Sequence, residues 1–137
     1  MSQVTNFIKD DGGRSLAGFK GMADDCVVRA IAIVSGKLYK EVHQELSDWQ
    51  GWDADNGGNV SGHYTYKRFI ENFGFKWIPI MRVGSGCKMH LKAEELPNGK
   101  LIARVSGHLV AVIDGVIHDT FDCSRGGKRC VYGYFSK

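Results

Sequence analysis

The stretch His108-Leu109-Val110-Ala111-Val112-Ile113-Asp114-Gly115-Val116-Ile117-His118-Asp119-Thr120-Phe121 reads as a β-hairpin. Two runs of β-branched and apolar residues flank Asp114-Gly115, a dipeptide suited to the left-handed backbone of a two-residue turn. Such a turn sets the register: Ile113 lies opposite Val116, Val110 opposite Asp119 and His108 opposite Phe121. Alternate side chains share a face, so His108, Val110 and Asp119 project the same way. His108 and Asp119 become diagonal neighbours, roughly 7 Å apart at Cα, near enough for a carboxylate to orient an imidazole. His118 and Asp122 fall on the opposite face from Asp119.

Outward from the hairpin, Phe75–Met81, Leu101–Val105 and Cys130–Phe135 carry strand character. Leu91–Leu96 suits a helical turn and Pro97-Asn98-Gly99 a reverse turn. Before Gly74 the pattern is helical. Cys26–Val34 is apolar nearly all round, with Asp24 or Asp25 available as N-cap and Gly36 as helix stop, which predicts a buried helix. Tyr39, Val42, Leu46 and Trp49 recur at spacings of 3, 4 and 3, an amphipathic helix, and Tyr66, Phe69, Ile70 and Phe73 mark a third. Gly51–Gly62 is a Gly/Asn/Asp-rich loop, and residues 1–22 read as an irregular arm. Helices first and an antiparallel sheet afterwards make an α+β chain, expected as one domain over 1–137.

Composition is that of an ordinary globular domain, with 43% hydrophobic and 24% charged residues in a 137-residue chain. Net charge is +3, and the densest basic stretch, Arg125, Lys128 and Arg129, is diluted by Gly126 and Gly127. Phosphate binding needs clustered positive charge, so nucleic acid is not an expected partner. The amino terminus lacks the basic-then-apolar pattern of a signal peptide. The apolar run Val27–Val34 is far short of the ~20 residues that span a bilayer. A cytoplasmic, non-membrane protein is the expectation. In that reducing compartment Cys26, Cys87, Cys123 and Cys130 read as thiols rather than disulfides.

Cys26 opens the buried helix, where the helix dipole and unpaired N–H groups favour thiolate over thiol. A nucleophile at a helix start, with a base and an orienting carboxylate on a hairpin, is the general form of the catalytic triad. Plainer readings stand beside it: Cys26 as a small buried hydrophobe, His108 as an edge residue, Asp119 as a solvent-facing strand residue. Zinc is the rival use of the other cysteines. Cys87-x-x-His90 has ligand spacing and Cys123 or Cys130 would complete the set, although Cys123 and Cys130 are too widely spaced for the usual knuckle. The expected assignment is no metal and no cofactor. His43 and His63 look like surface residues.

Asp25-Cys26 opening an apolar helix, His108 opening a strand and Asp119 on the next strand together resemble the papain-like cysteine peptidases. Their short bacterial members, such as the double-glycine-leader peptidases of export systems, look nearer still. The runs Asp11-Gly12-Gly13-Arg14, Ala17–Gly21, Asp25–Ile33, Gly107–Val112, Asp119-Thr120 and Val131–Tyr134 are similar to small bacterial and phage proteins with a papain-like core. The resemblance covers most of the chain, weakly over 51–97. It implies N-terminal helices packed against a C-terminal sheet. It also implies Cys26 as nucleophile, His108 as general base then acid, and Asp119 as the residue orienting His108. The family places a Gln shortly before the Cys to donate into the oxyanion hole. Here Lys20-Gly21-Met22-Ala23-Asp24-Asp25 contains none, leaving the Cys26 N–H and Lys20 as candidates. Losing one such donor costs ~10²–10³ in rate. Trp52 is a candidate lining residue of a substrate cleft. Asp24 and Asp25 place negative charge beside the thiol.

Two functions follow from the resemblance. One is a cysteine hydrolase cutting a peptide, isopeptide or related amide bond of a protein or peptide substrate. The other is a catalytically weak or inactive papain-like binding module, phage-encoded and acting on a host protein.

Overall fold

The computed structural model describes residues 7–19, 25–51, 54, 63–81, 84–106 and 108–137, the side chains of 63–65 apart. Asp114 and Gly115 both take positive φ, 49° and 80°, as a two-residue hairpin turn requires. The turn joins β4 (His108–Ile113) to β5 (Val116–Asp119), with Ile113 opposite Val116 and Ala111 opposite His118, the expected register. β3 (Lys100–Val105) pairs antiparallel with β4, β6 (Gly133–Ser136) with β3, and β2 (Lys76–Pro79) with β6.

The arm expected to be irregular contributes a strand. β1 (Phe7–Lys9) pairs parallel with β5, which makes the six-stranded sheet mixed rather than purely antiparallel, in the order β1-β5-β4-β3-β6-β2. Three residues carry too little periodicity to announce a strand; the open edge of β5 supplies the hydrogen-bond partners.

Three helices, α1 (Cys26–Ser35), α2 (Tyr39–Gln50) and α3 (His63–Glu71), precede β2. α1 ends at Gly36 in the left-handed conformation, its N–H donating to Ala32 O across 3.1 Å. Most of α1 is buried, as its apolar circumference requires. Its side chains pack with Tyr39, Val42, Leu46, Phe69 and Ile70 on one face of the sheet, against Ile102, Leu109, Ala111 and Phe135. The alternate strand positions, Leu101, Ala103, Val105, Val110, Val112 and Ile117, form a second core with Leu91, Leu96, Cys123 and Val131. The sheet is therefore buried on both faces, by helices on one side and by irregular chain on the other.

Candidate active site

The first turn of α1 meets the start of β4 and the end of β5, and the expected trio comes together there. The carboxylate of Asp119 is 2% exposed, and each oxygen is engaged. His108 Nε2 donates to Oδ2 across 2.6 Å, while Oδ1 accepts from the Thr120 N–H at 2.7 Å and from Arg29 Nη2 at 3.3 Å. Burial by itself raises the Asp119 pKa, but the hydrogen bond and charge of His108, with Thr120 and Arg29, hold it below the usual carboxylate range. An ionised carboxylate only accepts, so the ring nitrogen is the donor.

Burial likewise pushes His108 down. Hydrogen bonding to Asp119, then to the thiols of Cys123 and Cys26, outweighs it and raises the imidazole to about 11. The Phe121 ring lies beside the imidazole, 5.7 Å between centroids and tilted by 32°, where the hairpin register placed it.

Both thiols raise the pKa of this one ring, and the Cys123 sulfur lies within 4.8 Å of an imidazole nitrogen. Cys26 belongs to the helix-side core and Cys123 to the opposite one, so His108 sits where the two cores meet. Both cysteines are reduced and buried. Burial, with a smaller electrostatic contribution from Cys26, raises the Tyr66 pKa.

A chain of buried polar groups stands behind the trio. Asp25, fully buried, pairs with Arg29 through Oδ1 and accepts from the Tyr39 hydroxyl at 2.6 Å through Oδ2. Arg14 Nη1 donates to the Tyr39 hydroxyl at 2.7 Å and lies 3.6 Å from Asp25 Oδ2. Burial, with the Asp25 hydrogen bond, pushes the Tyr39 phenol well above its ordinary value. Arg29 therefore bridges two carboxylates, Asp25 on its own helix and Asp119 on β5. The acidic neighbour of Cys26 is not a bare negative charge: two guanidinium groups face it. Asp25 occupies the N-cap position but makes no side-chain cap hydrogen bond, because its oxygens are committed to this network.

Arg29, Arg14, Tyr39 and Cys123 were not anticipated as site residues. A charged residue inside an apolar helix, four positions after an aspartate, was the available signal for Arg29. Nothing local marked Arg14, Tyr39 or Cys123. Lys20 and Trp52, the expected oxyanion and cleft residues, lie outside the described residues, as does Asp24. His118 points away from Asp119, its Nδ1 3.3 Å from Asp10 Oδ2. His43 is buried rather than superficial, its ring 4.3 Å from that of Phe19.

The reading of all four cysteines as thiols is corrected at two of them: Cys87 and Cys130 form a disulfide. The cause is tertiary. A bridge between His90 and Cys130, flanked by Leu91 N–H to Arg129 O and Val131 N–H to Met89 O, both 2.8 Å, aligns distant segments. The cysteine Cα atoms come to 5.6 Å, within the range a disulfide spans.

Among the described residues no helix is long and apolar enough to cross a membrane. No protein-family model, no curated protein and no solved structure matches the chain.

Proposed function

We propose that this chain is a papain-like cysteine hydrolase acting on a peptide, isopeptide or related amide bond, with Cys26 as nucleophile. The single observation that carries the reading is the imidazole of His108, held by the Asp119 carboxylate at 2.6 Å with the Cys26 thiol in reach at a helix start. Nε2 is engaged by Asp119, so Nδ1 is the nitrogen that exchanges a proton with sulfur. His108 already carries its proton at neutral pH and so serves as the acid of the pair, while the Cys26 sulfur adds to the substrate carbonyl as the thiolate. The tetrahedral oxyanion faces the Cys26 N–H at the positive end of α1. His108 then protonates the departing amine, leaving an acyl-enzyme that water, deprotonated by the same ring, hydrolyses. Asp119 keeps the ring oriented, and Arg29 keeps Asp119 in place.

Iodoacetamide near neutral pH tests this. With Cys87 and Cys130 oxidised, the contest is between Cys26 and Cys123. Cys26 should alkylate first, and His108→Ala should erase its lead. Equal rates in the native protein, or a lead that survives His108→Ala, would remove the hydrolase reading.

The burial of Cys26, 5% exposed, favours a second reading, a binding module that uses the fold without the chemistry. Of its other supports, the missing Gln stands, and the acidic charge beside the thiol weakens at Asp25, which is paired with Arg29. Under this reading Cys26→Ser leaves biological activity and capture of a host protein intact. Loss of both in a folded Cys26→Ser protein would discard it.

A further inference from the structure

Besides the candidate active site, the segments carrying Cys87 and Cys130 hold a second cluster of ligating atoms. The Cys87 and Cys130 sulfurs and a His90 ring nitrogen all lie within 4.8 Å of one another. His90 Nε2 is 3.5 Å from Cys87 Sγ, while Nδ1 is 3.2 Å from both Glu95 oxygens, one of which also accepts the His90 backbone N–H at 3.0 Å. A disulfide requires none of this. A ring that presents one nitrogen to a pair of cysteine sulfurs while a carboxylate grips the other is the outer-shell arrangement of a metal-bound histidine, in which the carboxylate fixes tautomer and orientation.

We propose that Cys87, His90 and Cys130 form a redox-gated zinc site, closed as a disulfide when oxidised and binding one zinc ion when reduced. Two thiolates and one imidazole are the donor set zinc favours, and water completes the tetrahedron. A dithiol reductant supplies two electrons and two protons to the disulfide and leaves as its own disulfide. Metal binding then releases the two thiol protons to solvent. The backbone bridge between His90 and Cys130 holds the ligands in either state. Cys87 is exposed, so reductant and metal reach the site from solvent.

The other thiol-bearing cluster, His108, Asp119 and Cys123, belongs to the candidate active site and is disarmed for the test. The full chain carrying Cys26→Ser and Cys123→Ser is reduced with a phosphine under anaerobic conditions, freed of reductant and titrated with cobalt(II). One cobalt per chain should bind with a thiolate-to-metal charge-transfer band and tetrahedral d–d absorption, and zinc should displace it. Oxidation before titration should abolish binding. Glu95→Gln should weaken binding on the order of 10–100-fold, and His90→Ala at least as much. Should the double serine variant fold poorly, the reduced native chain is titrated beside its Cys87→Ser variant, which must bind one cobalt fewer and lose the corresponding part of the band. A reduced, folded chain without the band, or affinity unchanged by His90→Ala, overturns the proposal.

Discussion

Asp119 and His108 determine how the candidate site responds to pH. The folded-state imidazole is raised to about 11, so its protonation favours folding. That contribution is complete below the ordinary imidazole value of ~6.5, shrinks as pH rises beyond it, and is gone once pH passes about 11. Asp119 runs the other way: lowered in the folded chain, it adds stability above the ordinary carboxylate value of ~3.9, lost as pH falls through its folded value. Urea-unfolding free energies should decline through the alkaline range, and His108→Gln should flatten that decline; an unchanged alkaline limb would argue against a charged ring. Arg29 is the residue whose loss should cost most. Arg29→Met strands Asp25 and Asp119, both buried, without their shared cation, and should destabilise the protein by about 3–5 kcal/mol in urea titrations. The trio itself was legible from the hairpin register and from Cys26 at a helix start. For Arg29 only the local half was visible, the aspartate four positions before it; its second partner, Asp119, lies on a distant strand.

Apart from β1, the elements follow local rules that survive inspection one at a time. α1 begins and ends at the expected residues, and β4 and β5 pair as the Asp114-Gly115 turn demands. β5 stops at Asp119 and β6 starts at Gly133, so both strands are shorter than their apolar patterns suggest. Where β2 meets β6, Gly133 pairs with Pro79 and lies under the indole of Trp77. A Cβ added there would stand 2.5 Å from Trp77 Cη2 and 2.7 Å from the Ile78 carbonyl oxygen. Gly133→Ala should therefore lower thermal stability by about 1–3 kcal/mol, read from the melting midpoint, through overpacking of this pairing. A melting point equal to the parent's would show that the indole swings away at no cost.

Across the whole molecule, the disulfide links chain segments 43 positions apart and ties the irregular cover of the second core together. Restricting the unfolded chain over such a loop should contribute about 2–4 kcal/mol. Reduction, or Cys87→Ala with Cys130→Ala, should lower the urea midpoint accordingly, and zinc added to the reduced native chain should recover part of the loss. The same scale explains why the candidate site sits where it does. The sheet is covered on both faces, and His108 stands at the end of it, in reach of one thiol from each cover.

By itself the sequence determined the α+β class, the order of helices before the hairpin, and the pairing of His108 with Asp119. Those depend on periodicity, caps and turn chemistry, which act over a few residues. Tertiary structure alone decided that Phe7–Lys9 would dock parallel on β5, that Arg14 would reach buried Asp25 and Arg29 would reach Asp119, and that Cys87 would meet Cys130. Each joins residues on different elements, up to 110 positions apart for Phe7 and Ile117. A parallel edge pairing, a buried ion network and a disulfide leave no local pattern, because their favourable energy exists only after the chain has brought distant groups together.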